Sequence, residues 1–462
     1  MDRAAEMTER PAIAAQATAP GEAAVAIVRA AGEGCLALLD KLAPGQGLSG
    51  MRGGRFRLAR IVSPETGELL DEALVLVFRS PRSYTGEDAF EIQAHGGGQA
   101  ARRILDALFA AGAAPAPPGE FTRRAFLNGK LDLAQAEAVL DLIHARSGRA
   151  ARMAAAQLDG ALGRRLDALC LSLVSAAADV EAMLDFPDDE LPQSMPCDIA
   201  ERLESAERDV ARLLATWEEG RLLRDGAHVA IAGPPNAGKS TLFNLLSGRD
   251  HAIVSDRPGT TRDTLEESLS VRGVPVTLTD TAGLHDGTEE IEREGIRRAR
   301  AAIGGADAVL AVLDASQPGD REWLDAIDPE KSLLLLNKSD LGAVAGPEDF
   351  PGRRAMAVSM LEPGTADRVA GALAGLLRGP SGGAAAEEAG DVAISARHRT
   401  GLETARRELQ RAMDLLRNGD EEAFVPAAEH IREATAALGR ILGRDIDEAT
   451  LDAIFSRFCV GK

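Results

Sequence analysis

The stretch GPPNAGKST (233–241) places glycines, a lysine and two hydroxyls in the pattern GxxxxGK[ST]. That spacing does phosphate chemistry where it follows a strand and opens a helix. Glycines let backbone N–H groups wrap phosphate oxygens, and the helix N-terminus adds its positive end. The preceding HVAIAG reads as a strand, and a helical pattern follows, so the context is met. Asn236, Ala237, Gly238, Lys239, Ser240 and Thr241 are expected to hold the phosphates. Lys239 would reach the outer ones, and Ser240 would bind Mg²⁺.

Further along stand three partners for that loop. SDRPGTT (255–261) supplies Ser255, Asp256, Arg257, Pro258, Gly259 and Thr260, then Thr261, whose hydroxyl can complete the magnesium shell. DTAG (Asp280, Thr281, Ala282, Gly283) ends a strand, where an Asp can hold the magnesium shell and a glycine amide can sense the terminal phosphate. NKSD contributes Asn337, Lys338 and Asp340. Asp340 can accept two hydrogen bonds from N1–H and the exocyclic amine of guanine. Adenine lacks that donor pair, so the order of motifs predicts a GTPase. A fifth contact to guanine is assigned to Ser359 and Met360, at the end of a predicted strand. ISAR (394–397) is the better textual match but lies beyond a linker.

Leu284 follows DTAG, where Ras-like switches carry a water-orienting Gln. No arginine finger is evident. A monovalent cation held by Asn236 and the carbonyls of 255–260 is one candidate source of charge. Asp286 is a candidate for orienting water, and a solvated loop acid is the plainer reading of it.

The elements that must position these residues are legible in outline. Strand-length apolar runs from His228 onward (HVAIAG, VTLTD, AVLAVLD, SLLLLN, AMAVS) alternate with helical segments, as in a doubly wound α/β domain. Residues 10–128 mix short strands with a helix closed by Gly112, which reads as α+β. From Leu131 to about Arg224, and again from about Ile394 to Phe458, apolar residues recur at helical spacing. The Gly/Ala/Glu-rich stretch 379–390 reads as a linker. The α/β domain is thus inserted into a helical one. The boundaries are 1–128, 129–224, 225–379 and 380–462.

The 462 residues carry a net charge of −20, which excludes global electrostatic gripping of nucleic acid and leaves only a local basic patch for RNA. Four cysteines without a CxxC pair suggest neither a disulfide framework nor a zinc site. No run is apolar enough to span a membrane, and the first twenty residues read as neither signal nor transit peptide. A cytoplasmic protein is expected.

Other residues carry plainer readings. His95 is expected to be a hydrogen-bonded structural histidine in a glycine turn. Cys35, Cys170 and Cys197 read as buried small residues or inert thiols. Arg102-Arg103 and Arg123-Arg124 fit a tRNA-facing patch or solvated helix faces equally well. Asp188-Asp189-Glu190 reads as a solvated loop. The terminus FSRFCVGK puts Cys459 at prenylation spacing, but Lys is a poor last residue for that signal and no polybasic stretch precedes it.

That terminus, with AQATAPG, YTGEDAFEIQAHGG, PGEFTRRAFLNGKLDLAQAEA and GPPNAGKST, resembles the MnmE (TrmE) family of tRNA modification GTPases over nearly the whole length. The resemblance implies a multidomain fold: an α+β N-terminal domain that binds a one-carbon folate and dimerises, an α-helical domain, and an inserted Ras-like α/β G domain. It implies methylene- or formyl-tetrahydrofolate contacts at Arg29, Glu91, Lys130 and Lys462. It implies K⁺ in place of an arginine finger, held by Asn236 and the backbone of Ser255, Arg257 and Thr260. It implies a homodimer acting with a flavin-containing partner, MnmG (GidA), in a heterotetramer or larger complex. The product is an aminomethyl-type group on C5 of the wobble uridine of certain tRNAs. Cys459 would then sit near the one-carbon chemistry, with a lysine nearby to favour the thiolate. Two departures stand out. GEAAVAIVR replaces the family's Arg and two glycines after the early Pro-Gly, and Asp286 stands where the family typically has Glu. The rival reading is a GTP-dependent assembly or signalling switch, which needs neither the first domain nor the tail.

Overall fold

The computed structural model describes residues 10–185, 194–248, 265–280, 301–317, 322–378, 392–417 and 421–462. The chain divides into two units, residues 1–140 with 439–462, and residues 141–438.

The first unit is organised by alternation. Its strands are β1 (Ile13–Gln16), β2 (Val25–Ala31), β3 (Arg55–Val62), β4 (Leu69–Phe78), β5 (Ala89–His95) and β6 (Ala114–Pro115). They form one sheet in the order β3-β4-β5-β2-β1-β6, antiparallel except where β1 meets β6. Successive strand residues point to opposite faces. Val28 and Ala30, Val75 and Val77, and Phe90 and Ile92 therefore face α1 (Cys35–Leu42) and α2 (Gly98–Ala111), which cover that side with Leu39, Leu42, Ile104 and Leu108. The same alternation sends Arg29 and Glu91 to the other face, paired in register. There α3 (Glu120–Leu127) contributes Phe121 to a second small core with Ile13, Ala15 and Ala116. The chain's last helix, Glu448–Phe455, contacts α3.

In the second unit the helices are α5 (Gly148–Leu158), α6 (Ala161–Asp185), α7 (Met195–Ala215) and α8 (Trp217–Asp225), following α4 (Leu133–His144). The sheet is β7 (Ala227–Ala232), β8 (Leu265–Val271), β9 (Val274–Asp280), β10 (Ala308–Asp314), β11 (Ser332–Asn337) and β12 (Arg354–Ala357). Its order is β12-β11-β10-β7-β9-β8, parallel except for β8. Both faces are buried, which is why these strands read as continuous apolar runs. One face packs on α9 (Lys239–Ser247) and α10 (Thr365–Arg378), burying Val229, Ile231, Leu310 and Leu335. The other buries Ala230, Val309, Ala311 and Leu334 against Leu324, Ile327 and Phe350. After it come α11 (Ala396–Arg417) and α12 (Phe424–Ile441), and α7 packs against both α6 and α11.

One short helix ties the sheet to its neighbours in this unit. Arg224 of α8 donates to both oxygens of Asp141 at 2.8 Å and to the Ile394 carbonyl. Arg221 reaches Asp307, whose other oxygen accepts from the His228 amide. Glu219, buried beside Arg149, is raised in pKa by burial against the pull of Arg149 and Arg378. Among the described residues no helix is long and apolar enough to cross a membrane.

Candidate nucleotide and tail sites

The loop between β7 and α9 is built for close approach. Gly238 has φ +106°, and a Cβ there would lie 2.3 Å from Asn337 Nδ2. Gly233 is as constrained, with its ideal Cβ 2.2 Å from the Val312 carbonyl oxygen. Asn236 adopts φ +61° without being glycine. Such conformations turn consecutive amides inward and form an anion cradle. The nine residues of α9 begin directly after it, so its N-terminal amides and dipole add to the same site.

Lys239 is buried and donates to the Pro234 carbonyl at 2.8 Å. Burial holds its pKa below the usual lysine value, and the Asp280 charge opposes that shift. Ser240 Oγ points to Asp280 Oδ2 at 3.4 Å, so the hydroxyl and carboxylate suited to magnesium share one corner. The donors present fit a magnesium-bound triphosphate: a glycine cradle, one ammonium, one hydroxyl and one carboxylate.

The side expected to meet guanine is assembled from three segments. Asn337 ends β11. Its Nδ2 donates to the Ala237 carbonyl at 2.8 Å, and its Oδ1 accepts from the Met360 amide at 3.2 Å. Ser359 is buried, and its carbonyl accepts from Thr365 Oγ1 at 2.8 Å. Lys338 takes φ +62° and donates to Asp314 Oδ2 at 2.7 Å. Asp340 is exposed on the short turn Ser339–Leu341. Ser395 of ISAR instead caps α11, accepting from the His398 amide. Ser255, Asp256, Arg257, Pro258, Gly259, Thr260, Thr261, Thr281, Ala282, Gly283 and Asp286 lie outside the described residues, as does the acidic run 188–190.

A second cluster stands in the first unit. Arg29 Nη2 is 2.7 Å from Glu91 Oε1, and its Nε donates to the same oxygen at 2.8 Å. The guanidinium lies 5.7 Å from the ring centroids of both Tyr84 and Phe121. The C-terminus closes over it. Gly461 carbonyl accepts from Arg29 Nη1, the terminal Lys462 carbonyl from the Phe121 amide at 3.2 Å, and the Cys459 carbonyl from the Gly119 amide. Burial and then the Arg29 charge hold Lys462 below the usual lysine pKa, against Glu91 and Cys459. Phe455 and Phe458 are buried, with ring centroids 5.4 Å apart, and anchor the turn that leads there.

Lys130 is exposed and donates to the Pro81 carbonyl, in the loop that also carries Tyr84. Some of the plainer readings are corrected. Arg124 is no surface cation: it is buried, bridged to Glu120 and Glu87 and bonded to the Pro11 carbonyl. Arg123 engages Glu448 and Asp452. Cys197 is exposed, while Cys35 and Cys170 are buried. His95, though exposed, is hydrogen-bonded as expected, its Nδ1 2.7 Å from Asp71 Oδ1 and its amide donating to Asp71 Oδ2.

Three residues at these sites escaped the sequence reading. Tyr84 is the only tyrosine of the chain, a signal available from composition. Phe121 lay within a quoted motif without a role. Asp314 is an acid closing an otherwise apolar strand, AVLAVLD, and that contrast marks it.

Two family models together match nearly the whole chain. The family described as "GTP-binding protein TrmE N-terminus" matches residues 12–130, and "MnmE helical domain" matches residues 133–459. A tRNA modification GTPase MnmE of Akkermansia muciniphila is 43% identical over 97% of this chain and 98% of its own length. That of Moorella thermoacetica is 43% identical over 97% and 99%. One from Thermus thermophilus is 40% identical over 99% and 100%.

Proposed function

This chain belongs to the MnmE (TrmE) family of tRNA modification GTPases, and on that premise we propose that it couples a potassium-stimulated GTPase cycle to folate-dependent modification of tRNA. As a family member it is a GTP hydrolase of tRNA modification. The finer reading is that, with an MnmG-like flavin-containing partner, it installs an aminomethyl-type group on C5 of the wobble uridine of certain tRNAs, in the cytoplasm. Potassium would be held by Asn236 with the backbone of Ser255, Arg257 and Thr260, replacing an arginine finger. The domain limits 1–128, 129–224, 225–379 and 380–462 belong to this reading.

One observation carries it: the C-terminal Gly461-Lys462 is seated on the Arg29–Glu91 pair. A nucleotide switch has no use for a carboxylate and a terminal lysine gathered around an arginine that two aromatic rings flank. A reduced folate offers ring N–H donors and a carboxylate tail. Glu91 would accept from the ring, Tyr84 would face its flat surface, and Arg29 and Lys462 would meet negative charge. The bound folate supplies the one-carbon unit, and Cys459 stands exposed next to these groups in the chain. Lys130, bonded to the Pro81 carbonyl of the loop that carries Tyr84, would join them through its exposed ammonium.

The homodimer has its own support. On the face of the sheet opposite α1 and α2, Phe56 and Leu58 of β3 are 70% and 58% exposed, and their neighbours in register are Leu76 and Leu74. Apolar strand faces left in water mark association surfaces.

The test has two arms. Calorimetry with 5-formyltetrahydrofolate should show binding to the wild type and none to Arg29→Ala. GTP turnover should fall steeply when potassium is replaced by sodium at equal ionic strength. Absent folate binding with equal rates in both salts would leave an assembly or signalling switch as the function.

A further inference from the structure

The geometry points to Asp314 as a positioning residue for guanine recognition, acting through Lys338. Asp314 is outside every motif that marks the nucleotide site. It closes β10, and the parallel register sets it beside Asn337, the last residue of β11.

Its carboxylate is divided between two tasks. Oδ1 accepts from the Ser316 amide at 3.0 Å and from Ser316 Oγ at 2.7 Å, which fixes the plane of the group. Oδ2 then has one orientation, and it accepts from Lys338 Nζ at 2.7 Å. Both partners are shielded, with side chains 16% and 31% exposed, so this is not a freely solvated surface pair. Burial pushes the Asp314 carboxyl up, but the Lys338 and Ser316 hydrogen bonds outweigh it and hold the group below the ordinary aspartate value.

Lys338 needs such a restraint. Its backbone is left-handed at φ +62°, a region costly for a side chain with a Cβ and kept only where neighbours hold it. Asn337, just before, is pinned to Ala237 and Met360. The Ser339 amide is bonded to the Val358 carbonyl, and the Leu341 amide to the Lys338 carbonyl. Asp340 sits between these last two. Its aim at the guanine edge is therefore set by the conformation of Lys338, and Asp314 fixes that conformation from the neighbouring strand.

The test is mant-GDP dissociation from the full-length protein, followed by stopped-flow fluorescence. Loss of one charge-assisted hydrogen bond predicts that Asp314→Ala dissociates about tenfold faster. Asp314→Asn, whose single acceptor oxygen can serve Ser316 or Lys338 but not both, should also dissociate faster than wild type. If Asp314 works through Lys338, the double variant with Lys338→Ala releases mant-GDP no faster than Lys338→Ala alone. In turnover, Asp314→Ala should raise KM for GTP, leave kcat within about twofold, and shrink the preference for GTP over ITP, which lacks the exocyclic amine. Unchanged dissociation in both Asp314 variants would overturn the proposal. So would effects of Asp314→Ala and Lys338→Ala that multiply, or a lowered kcat with the GTP/ITP preference intact.

Discussion

Arg29 donates a hydrogen bond of 3.3 Å to the carbonyl of Gly461, a residue 432 positions away and next to the last in the chain. The contact makes the terminus part of the first unit's sheet face. Gly461 is required there in a strict sense. Its φ is +90°, and a Cβ would lie 2.3 Å from the Gln16 carbonyl oxygen.

Gly461→Ala should therefore release the tail without unfolding the unit. Fixing the last five residues costs roughly 5–10 kcal/mol of backbone entropy. Phe458 burial returns about 2–3 kcal/mol, and three hydrogen bonds, one from a guanidinium, about 3–5 kcal/mol. The terms nearly cancel, so a small steric insult tips the balance. Hydrogen exchange at the Phe121 amide should accelerate, and 5-formyltetrahydrofolate affinity should fall by at least about tenfold. Protected exchange in the variant would show that the tail tolerates a side chain and is not wedged as described.

Gly238→Ala tests the other cradle. The added carbon would meet Asn337 Nδ2, which holds the loop through the Ala237 carbonyl. At φ +106° the residue is strained as well. Mant-GTP affinity should drop by at least about tenfold, or about 1.4 kcal/mol. Because the loop is exposed around Asn236 and Ser240, thermal stability without nucleotide should move much less. A variant that binds as wild type would mean the loop can shift away from Asn337 at little cost.

The four thiols should divide by burial. Cys197 and Cys459 are exposed and should alkylate in the native protein, whereas Cys35 and Cys170 should react only after denaturation. For Cys35 the chemistry agrees. Burial, reinforced by Asp88 and Glu87, pushes its pKa from 9.0 up to about 12. Folding thus favours the protonated thiol. That contribution is complete below pH 9.0 and is lost as pH rises toward about 12. Denaturation curves across this window should fall less steeply for Cys35→Ala than for wild type. Equal slopes would mean that Cys35 titrates alike in both states.

How much of this was legible in the sequence depended on the distance between partners. The phosphate loop and NKSD are read from local spacing, because each motif's chemistry is done by neighbours in the chain. The inserted α/β pattern was readable because strands buried on both faces are apolar throughout, as Ser332–Asn337 is. The choice of Ser359-Met360 over ISAR rested on the strand before Ser359 and the linker before ISAR, not on the letters. Arg123-Arg124 misled because adjacent arginines on a short helix look alike. Only the fold shows that Arg124 turns inward to Glu87, Glu120 and Pro11. Asp314 required the register of β10 on β11, and Tyr84 required a loop folded over β2. Neither is a property of local sequence.

Asp286→Glu bears on the hydrolytic step. In the proposed mechanism no glutamine follows DTAG and the attacking water must be oriented by a carboxylate. Asp286 has the charge for this, but its side chain is one methylene shorter than that of Glu, about 1.5 Å. Misplacement of order 1 Å at a reacting centre can cost about a hundredfold in rate. The longer residue should therefore raise kcat roughly tenfold or more in potassium, with KM for GTP little changed, because the group meets water and not nucleotide. Asp286→Asn should lower kcat, since the same reach without charge orients water poorly. If Glu leaves kcat unchanged or lowers it, Asp286 is an ordinary loop acid. The water must then be held from another segment, and Arg257 and its neighbours become the next residues to vary.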